Sequence, residues 1–201
     1  MEIITYTKNN TQVYITRNHL DFSTAVDLTQ LNNDEKEKFV ALKSQKRKKE
    51  FLLIRMLKNQ LFPEKEISYL TNGAPFFTDH SFSLSISHTS NFIGLAISTN
   101  KRVGIDLEEI QQKIIKLAPK FMHSSELKAI QSINNPIHYT HFWCGKEALY
   151  KWSGIDGLSF RNELPIFHKL GSWFGKSTRI SNENIPLEMI ELENHIVCFT
   201  Y

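Results

Sequence analysis

Arg102-Val103-Gly104-Ile105-Asp106-Leu107-Glu108 alternates apolar with small or acidic residues, the period of a β-strand whose two faces meet different surroundings. On this reading Val103, Ile105 and Leu107 enter a core. Gly104, Asp106 and Glu108 share the opposite face, where the glycine leaves open space beside two carboxylates. Two acids side by side raise each other's pKa. A bound cation relieves that repulsion. One or two carboxylates, completed by waters and phosphate oxygens, suit Mg²⁺. The same residues also read as a solvated sheet edge, and the strand alone leaves both readings open.

A second stretch, Phe142-Trp143-Cys144-Gly145-Lys146-Glu147-Ala148-Leu149-Tyr150-Lys151, reads as a helix. Trp143, Glu147 and Lys151 are spaced four apart and fall on one stripe. Glu147 offers a third oxygen ligand or a general base, and Lys151 a positive charge for a phosphate. An ordinary i,i+4 Glu–Lys pair on a solvated face, worth about 0.2–0.5 kcal/mol, accounts for the same spacing.

Together and in this order, Gly104-Ile105-Asp106-Leu107-Glu108 and the later Trp143-x-x-Lys146-Glu147-x-x-x-Lys151 resemble the 4′-phosphopantetheinyl transferases. The closer likeness is to the larger single-chain type that activates peptide synthetases and acyl carrier proteins. The resemblance implies transfer of phosphopantetheine from coenzyme A to a serine of an apo acyl carrier protein or peptidyl carrier protein domain. It implies a metal site of Asp106, Glu108 and Glu147 for Mg²⁺, with Mn²⁺ as the alternative. Glu147 and Lys151 take the catalytic roles, and Lys151 also contacts coenzyme A. The spacing does not decide which acid is the base; Glu147 is the expectation. Two other readings share these residues: a catalytically silent module binding coenzyme A or a carrier protein, and an unrelated Mg²⁺-dependent phosphoesterase using water as nucleophile.

Upstream, Arg47 and Arg55 lie two turns apart on a basic helix, on roughly the same side, so that a phosphate between them would gain charge-assisted hydrogen bonds. Read alone they are a solvated basic face. The resemblance implies that they approach the 3′-phosphate of coenzyme A. Ser81-Phe82-Ser83-Leu84-Ser85-Ile86-Ser87-His88 alternates without a break, with Phe82, Leu84 and Ile86 expected in the core and the four serines facing out. Its end is similar to the family's Ile-Ser-His-Ser element, which implies that Ser87 and His88 bind coenzyme A. Asn72-Gly73-Ala74-Pro75-Phe76 reads as a turn. Family members usually carry a lysine where this chain has Ala74, so contacts by the backbone around Gly73 are expected with weakened affinity. Phe121 and Met122 are expected as exposed apolar residues for a carrier-protein helix, with plain core as the other reading.

The rest of the chain supplies the scaffold. Two β-rich pieces, 2–6 and 12–16, flank a turn at Asn9-Asn10. A helical region opens with Asn33 as N-cap, breaks near Ser44 and stops before Pro63. Ile93–Ile97 and His195–Phe199 read as buried strands, and Asn134-Asn135-Pro136 breaks the chain before the second motif's helix. The fold class is α+β. The resemblance implies two similar α+β halves related by a pseudo-twofold, residues 1–100 and 101–201, with the active site between them.

Composition excludes little but narrows the class. The 201 residues are 41% hydrophobic and 22% charged, enough for one large or two small domains. A net charge of +3 does not point to nucleic acid. No apolar run approaches the roughly 20 residues of a membrane span. Met1-Glu2-Ile3-Ile4-Thr5-Tyr6 lacks a signal peptide's basic and apolar segments. Cys144 and Cys198 have no metal spacing and read as buried free thiols of a reducing compartment. The expectation is a cytoplasmic monomer.

Overall fold

The computed structural model describes residues 1–18, 28–130 and 132–201. Strands β1 (Ile4–Lys8) and β2 (Thr11–Arg17) form an antiparallel hairpin. Asn9 makes the reversal at φ +48°, a conformation that asparagine tolerates better than most residues. Helix α1 (Asn33–Ala41) is capped by Asn32, one residue before the expected Asn33. The reason is a reciprocal capping box: Asn32 Oδ1 accepts the Glu35 N–H, and the Glu35 carboxylate accepts the Asn32 N–H. The break near Ser44 is present, and Ser44 caps α2 (Gln45–Leu61), whose Leu53 and Leu57 enter the core.

A short hairpin, β3 (Ile67–Tyr69) and β4 (Pro75–Phe77), leads into β5 (Ser83–His88) and β6 (Phe92–Ser98). The first large sheet has the order β1-β2-β6-β5, antiparallel throughout, with α2 packed on one face. The chain then enters β7 (Ile105–Glu109), the first strand of the second sheet. Helices α3 (Lys113–Phe121), α4 (Ser124–Ile130) and α5 (Pro136–Ser153) follow. Strands β8 (Ile166–Lys169), β9 (Ser172–Ser177), β10 (Ser181–Leu192) and β11 (His195–Thr200) complete a sheet of order β7-β11-β10-β9-β8. Five helices and eleven strands among the described residues make the chain α+β.

Alternation in β7 sorts its side chains as the sequence implies. Val103, Ile105 and Leu107 pack with Val197 and Phe199 of β11 against Val13, Ile15, Phe92 and Ala96 of the first sheet. The other face of β7 is turned to α5, which lies across β7 and β11. Here the expectation fails: Gly104 does not open space for a ligand. A Cβ at Gly104 would overlap the Ala148 carbonyl oxygen and stand 2.8 Å from the Trp152 nitrogen, so the absent side chain is where the helix backbone sits. Asn135 caps α5, Pro136 occupies its first turn, and Gly154 ends it at φ +65°.

The expectation of four outward serines is also overturned. Ser85 and Ser87 are buried and join the two sheets. The Ser85 hydroxyl accepts the Ile105 N–H at 3.1 Å, and the Ser87 hydroxyl accepts the Leu107 N–H at 3.2 Å. Neighbouring sheet edges that cannot pair backbone to backbone are thus bridged through side chains, which satisfies donors that burial would otherwise strand.

The Gly104–α5 contact is testable. Gly104→Ala would have to displace helix backbone, so its cost is expected at the upper end of overpacking, about 3 kcal/mol. For a chain of this size that lowers Tm by roughly 6–12 °C in a thermal melt. Because the obstacle is backbone, Ala148→Gly should not rescue it.

Candidate active site

The carboxyl ends of β5 and β7 and the middle of α5 enclose a cleft of about 440 Å³. Ser87, His88, Asp106, Glu108, Glu147 and Lys151 all line it. The structure therefore brings six of the expected site residues together, drawn from both sheets. A smaller hollow of about 220 Å³ adjoins it, lined by Gly73, Ala74, Ser85, Tyr150 and Asp156, and shares Ile86 and Lys151 with the cleft. Gly73 holds its turn at φ +83°.

Asp106 is the centre of the polar network. Its Oδ1 accepts from the Ser87 hydroxyl at 2.9 Å and from the Lys151 ammonium at 2.7 Å. Lys151 also donates to the Ile105 carbonyl at 3.0 Å. Asp106 Oδ2 is buried and has no hydrogen-bond partner. Glu108 Oε1 accepts the indole N–H of Trp143 at 2.7 Å. Burial, reinforced by the charge of Asp106, pushes the Glu108 and Glu147 carboxyls up to about 7. Three acids thus face one cleft with one ammonium between them.

Among the described residues, no three Asp, Glu, His or Cys side chains form a ready-made metal cage. The donor set nevertheless fits a hard divalent cation. It is all oxygen, it holds an unpartnered buried carboxylate oxygen, and two further carboxyl groups would be ionised by a nearby positive charge. Lys151, bonded to Asp106 Oδ1, supplies part of that compensation within the chain itself.

His88 Nδ1 stands 3.3 Å from Glu50 Oε1 on α2, and burial holds the imidazole pKa below its ordinary value. Arg47 is exposed one turn before Glu50, so it shares the side of α2 that meets His88. Arg55 does not. Its side chain is fully buried, with Nε donating to Glu35 Oε1 at 2.6 Å and Nη1 donating to the Tyr69 hydroxyl at 3.2 Å. Its guanidinium also lies over the Phe51 ring. Two turns of helix place Arg55 on the face that packs inward, and its charge is committed to Glu35. Phe121 and Met122 are likewise buried, at 4% and 0% exposure, so the exposed apolar pair expected there is core. Phe121 packs edge-on against Trp143.

Several contributors escaped the sequence reading. The Trp143 N–H partner of Glu108 could be suspected only from its place one turn before Glu147. Glu50, the acid beside His88, sits inside a run of lysines that reads as solvated. Lys146 is fully buried and donates to Glu126 Oε1 and to the carbonyls of Phe160 and Leu164, fixing the segment after α5. Its position between Gly145 and Glu147 in the motif carried no signal of that role.

With this geometry in place, comparison with known proteins finds likeness over part of the chain. Residues 102–193 match the 4′-phosphopantetheinyl transferase superfamily. Both motifs, residues 104–108 and 143–151, lie inside that stretch. The 4′-phosphopantetheinyl transferase gsp of Aneurinibacillus migulanus is 36% identical over 110 residues, covering 51% of this chain and 46% of that protein. The 4′-phosphopantetheinyl transferase psf-1 of Bacillus pumilus is 29% identical over 117 residues, covering 54% and 49%. The chain spans about half the length of the curated relatives it matches. Among the described residues no helix is long and apolar enough to cross a membrane.

The raised carboxyl groups set a pH dependence. A group whose folded pKa of about 7 lies above its ordinary value of 4.5 stabilises the fold fully below 4.5, and that contribution is lost as pH rises through 7. Metal-free protein should therefore lose thermal stability between about pH 5 and pH 8. A Glu108→Gln/Glu147→Gln variant should show a flatter profile. Mg²⁺ held by these carboxylates would raise Tm more at pH 8 than at pH 5.5, because at pH 8 they are already ionised. Melts by circular dichroism with and without Mg²⁺ check all three.

Proposed function

We propose that this chain transfers 4′-phosphopantetheine from coenzyme A to a serine hydroxyl of an apo acyl or peptidyl carrier protein. The observation that carries the proposal is the convergence of Asp106, Glu108, Glu147 and Lys151 with Ser87 and His88 in one cleft between the two sheets. The division into halves at about residue 100, related by a pseudo-twofold, belongs to the same reading. It is supported by a shared connection: in each sheet the strand before the helices, β2 or β7, pairs with the last strand of a following hairpin, β6 or β11.

In this reading the adenosine end of coenzyme A takes the hollow beside Gly73, and Arg47 and His88 meet its phosphates. Lys151, shared by hollow and cleft, stands where the diphosphate would cross from one to the other. Asp106, Glu108 and Glu147 would hold a divalent cation, Mg²⁺ foremost, which would neutralise diphosphate charge and favour departure of the leaving group. Glu147 takes the proton of the carrier serine. Its carboxyl has no hydrogen-bond partner among the described residues, whereas Glu108 Oε1 is occupied by Trp143. A pKa near 7 suits a base at neutral pH. The serine oxygen then bonds to the phosphorus of the pantetheine side, the diphosphate P–O bond breaks, and 3′,5′-ADP leaves with the electron pair. Lys151 compensates charge on the transferred phosphoryl group. Buried unpaired thiols at Cys144 and Cys198 support a reducing, cytoplasmic setting.

The test is the intact mass of an apo carrier protein after incubation with this protein, coenzyme A and Mg²⁺. The expected result is a gain of one phosphopantetheine, abolished by EDTA and by Asp106→Ala. Glu147→Gln should lower turnover by about 10²–10⁴-fold; full turnover by that variant would refute the base assignment. An unchanged carrier mass with coenzyme A still bound would favour a silent binding module. Phosphopantetheine released without any carrier would favour a phosphoesterase.

A further inference from the structure

Trp143 stands one helical turn before Glu147 on α5, and its indole N–H donates to Glu108 Oε1 at 2.7 Å across the gap between helix and strand. The indole is not free to turn. Phe121 meets it edge-on at 4.9 Å, and Phe160 stacks on it at 5.3 Å with an interplanar angle of 24°. Tyr150 in turn stacks on Phe160 at 5.2 Å. The ring's supports therefore come from α3, from α5 and from the segment after α5. That segment is itself anchored where the Phe160 carbonyl accepts the buried Lys146 ammonium at 2.9 Å.

A glutamate on a strand edge has three side-chain torsions, and two carboxylate oxygens that are interchangeable unless something tells them apart. Here one oxygen is taken by a donor that cannot rotate away. The indole N–H has a fixed direction and, unlike a lysine or serine, it carries neither a formal charge nor a lone pair. It can bind one oxygen without competing for a cation. We propose that Trp143 is the positioning residue of Glu108: it pins Oε1 and so presents Oε2 toward Asp106 and Glu147 as a cation ligand. This inference rests on the proposed metal-dependent reading of the cleft and assigns a role within it that the motif spacing alone does not supply. Supporting partners of metal ligands commonly contribute 10–100-fold in affinity by fixing ligand orientation.

Trp143→Phe tests the claim, because phenylalanine keeps a ring between Phe121 and Phe160, removes the donor and takes away only part of the indole's volume. The wild-type protein and the variant are titrated with Mg²⁺ by calorimetry, and both are melted. The expected result is Mg²⁺ affinity weakened by about 10–100-fold in a protein that still folds, with Tm lowered by only a few degrees. In parallel, ¹⁵N-indole spectra of the metal-free protein are recorded. The resonance missing from Trp143→Phe identifies Trp143 among the tryptophans, and it should shift on Glu108→Gln and again on adding Mg²⁺ to wild type. Equal Mg²⁺ affinity in wild type and Trp143→Phe would overturn the proposal, as would an indole resonance indifferent to Glu108→Gln. If wild type itself takes up no Mg²⁺, the metal-dependent reading of the cleft falls and the positioning role falls with it. That outcome is distinct from equal binding by both proteins, which removes only Trp143.

Discussion

The contact on which the site depends is the approach of β7 to the backbone of α5 at Gly104. A strand and a helix ordinarily stand apart by the thickness of their side chains. At Gly104 that thickness is zero, and the space a methyl group would need is filled by the Ala148 carbonyl. Everything chemical follows from this short distance. It places Asp106 and Glu108, two and four residues along the strand, opposite Lys151 and Trp143 on the helix. Direct hydrogen bonds then span the gap: Lys151 reaches Asp106 at 2.7 Å and Trp143 reaches Glu108 at 2.7 Å. A glycine that looks like room for a ligand is instead the hinge point of the framework that builds the ligand site.

The opposite edge of β7 is held by a different device. Ser85 and Ser87 accept its N–H groups, so the first sheet grips the acidic strand through hydroxyls rather than through a backbone ladder. Ser87 does two things at once, accepting from Leu107 and donating to Asp106. The orientation of Asp106 is thereby tied to the first sheet as well as to α5. This explains why a carboxylate only 4% exposed is tolerated: one oxygen has two donors. The cost is concentrated on the other oxygen and on its neighbours. Asp106 Oδ2 is unpartnered, and Glu108 and Glu147 are driven toward the neutral form. It is on this unpartnered oxygen and these raised carboxyls that the proposed cation site rests.

The sequence made the cleft's acids, its lysine and its histidine legible because each sits in a short motif whose period is unambiguous: alternation in β5 and β7, and a spacing of four in α5. The secondary elements were legible for the same reason, down to the break at Ser44 and the stop before Pro63. What failed failed at contacts between elements. Alternation says that serines 85 and 87 leave the apolar face, but not that another strand's N–H groups wait on their side. A three-four repeat says that Arg47 and Arg55 lie near each other on α2, but not that one is exposed while the other faces Glu35. Phe121 and Met122 close an amphipathic helix, and only the packing of that helix end into the core, with Phe121 against Trp143, decides that they are covered. In each case the missing information was the identity of the neighbour, which no local period encodes.

Helix α5 carries two lysines bonded to carboxylates, and their difference separates framework from chemistry. Lys146 is fully buried, and its three donors are met by Glu126 Oε1 and two carbonyls. An ammonium in that state has no capacity left for a substrate, and removing either partner of so buried a pair strands a charge. Lys151, five residues on, has a side chain 28% exposed, and it donates to Asp106 and the Ile105 carbonyl while lining both hollows. Its partial exposure lowers the cost of exchanging partners, since solvent screens the intermediate arrangement. The same residue type, on the same helix and with the same kind of acidic partner, is therefore a fixed strut at one position and an available cation at the other. What distinguishes them is whether the donors are exhausted within the fold.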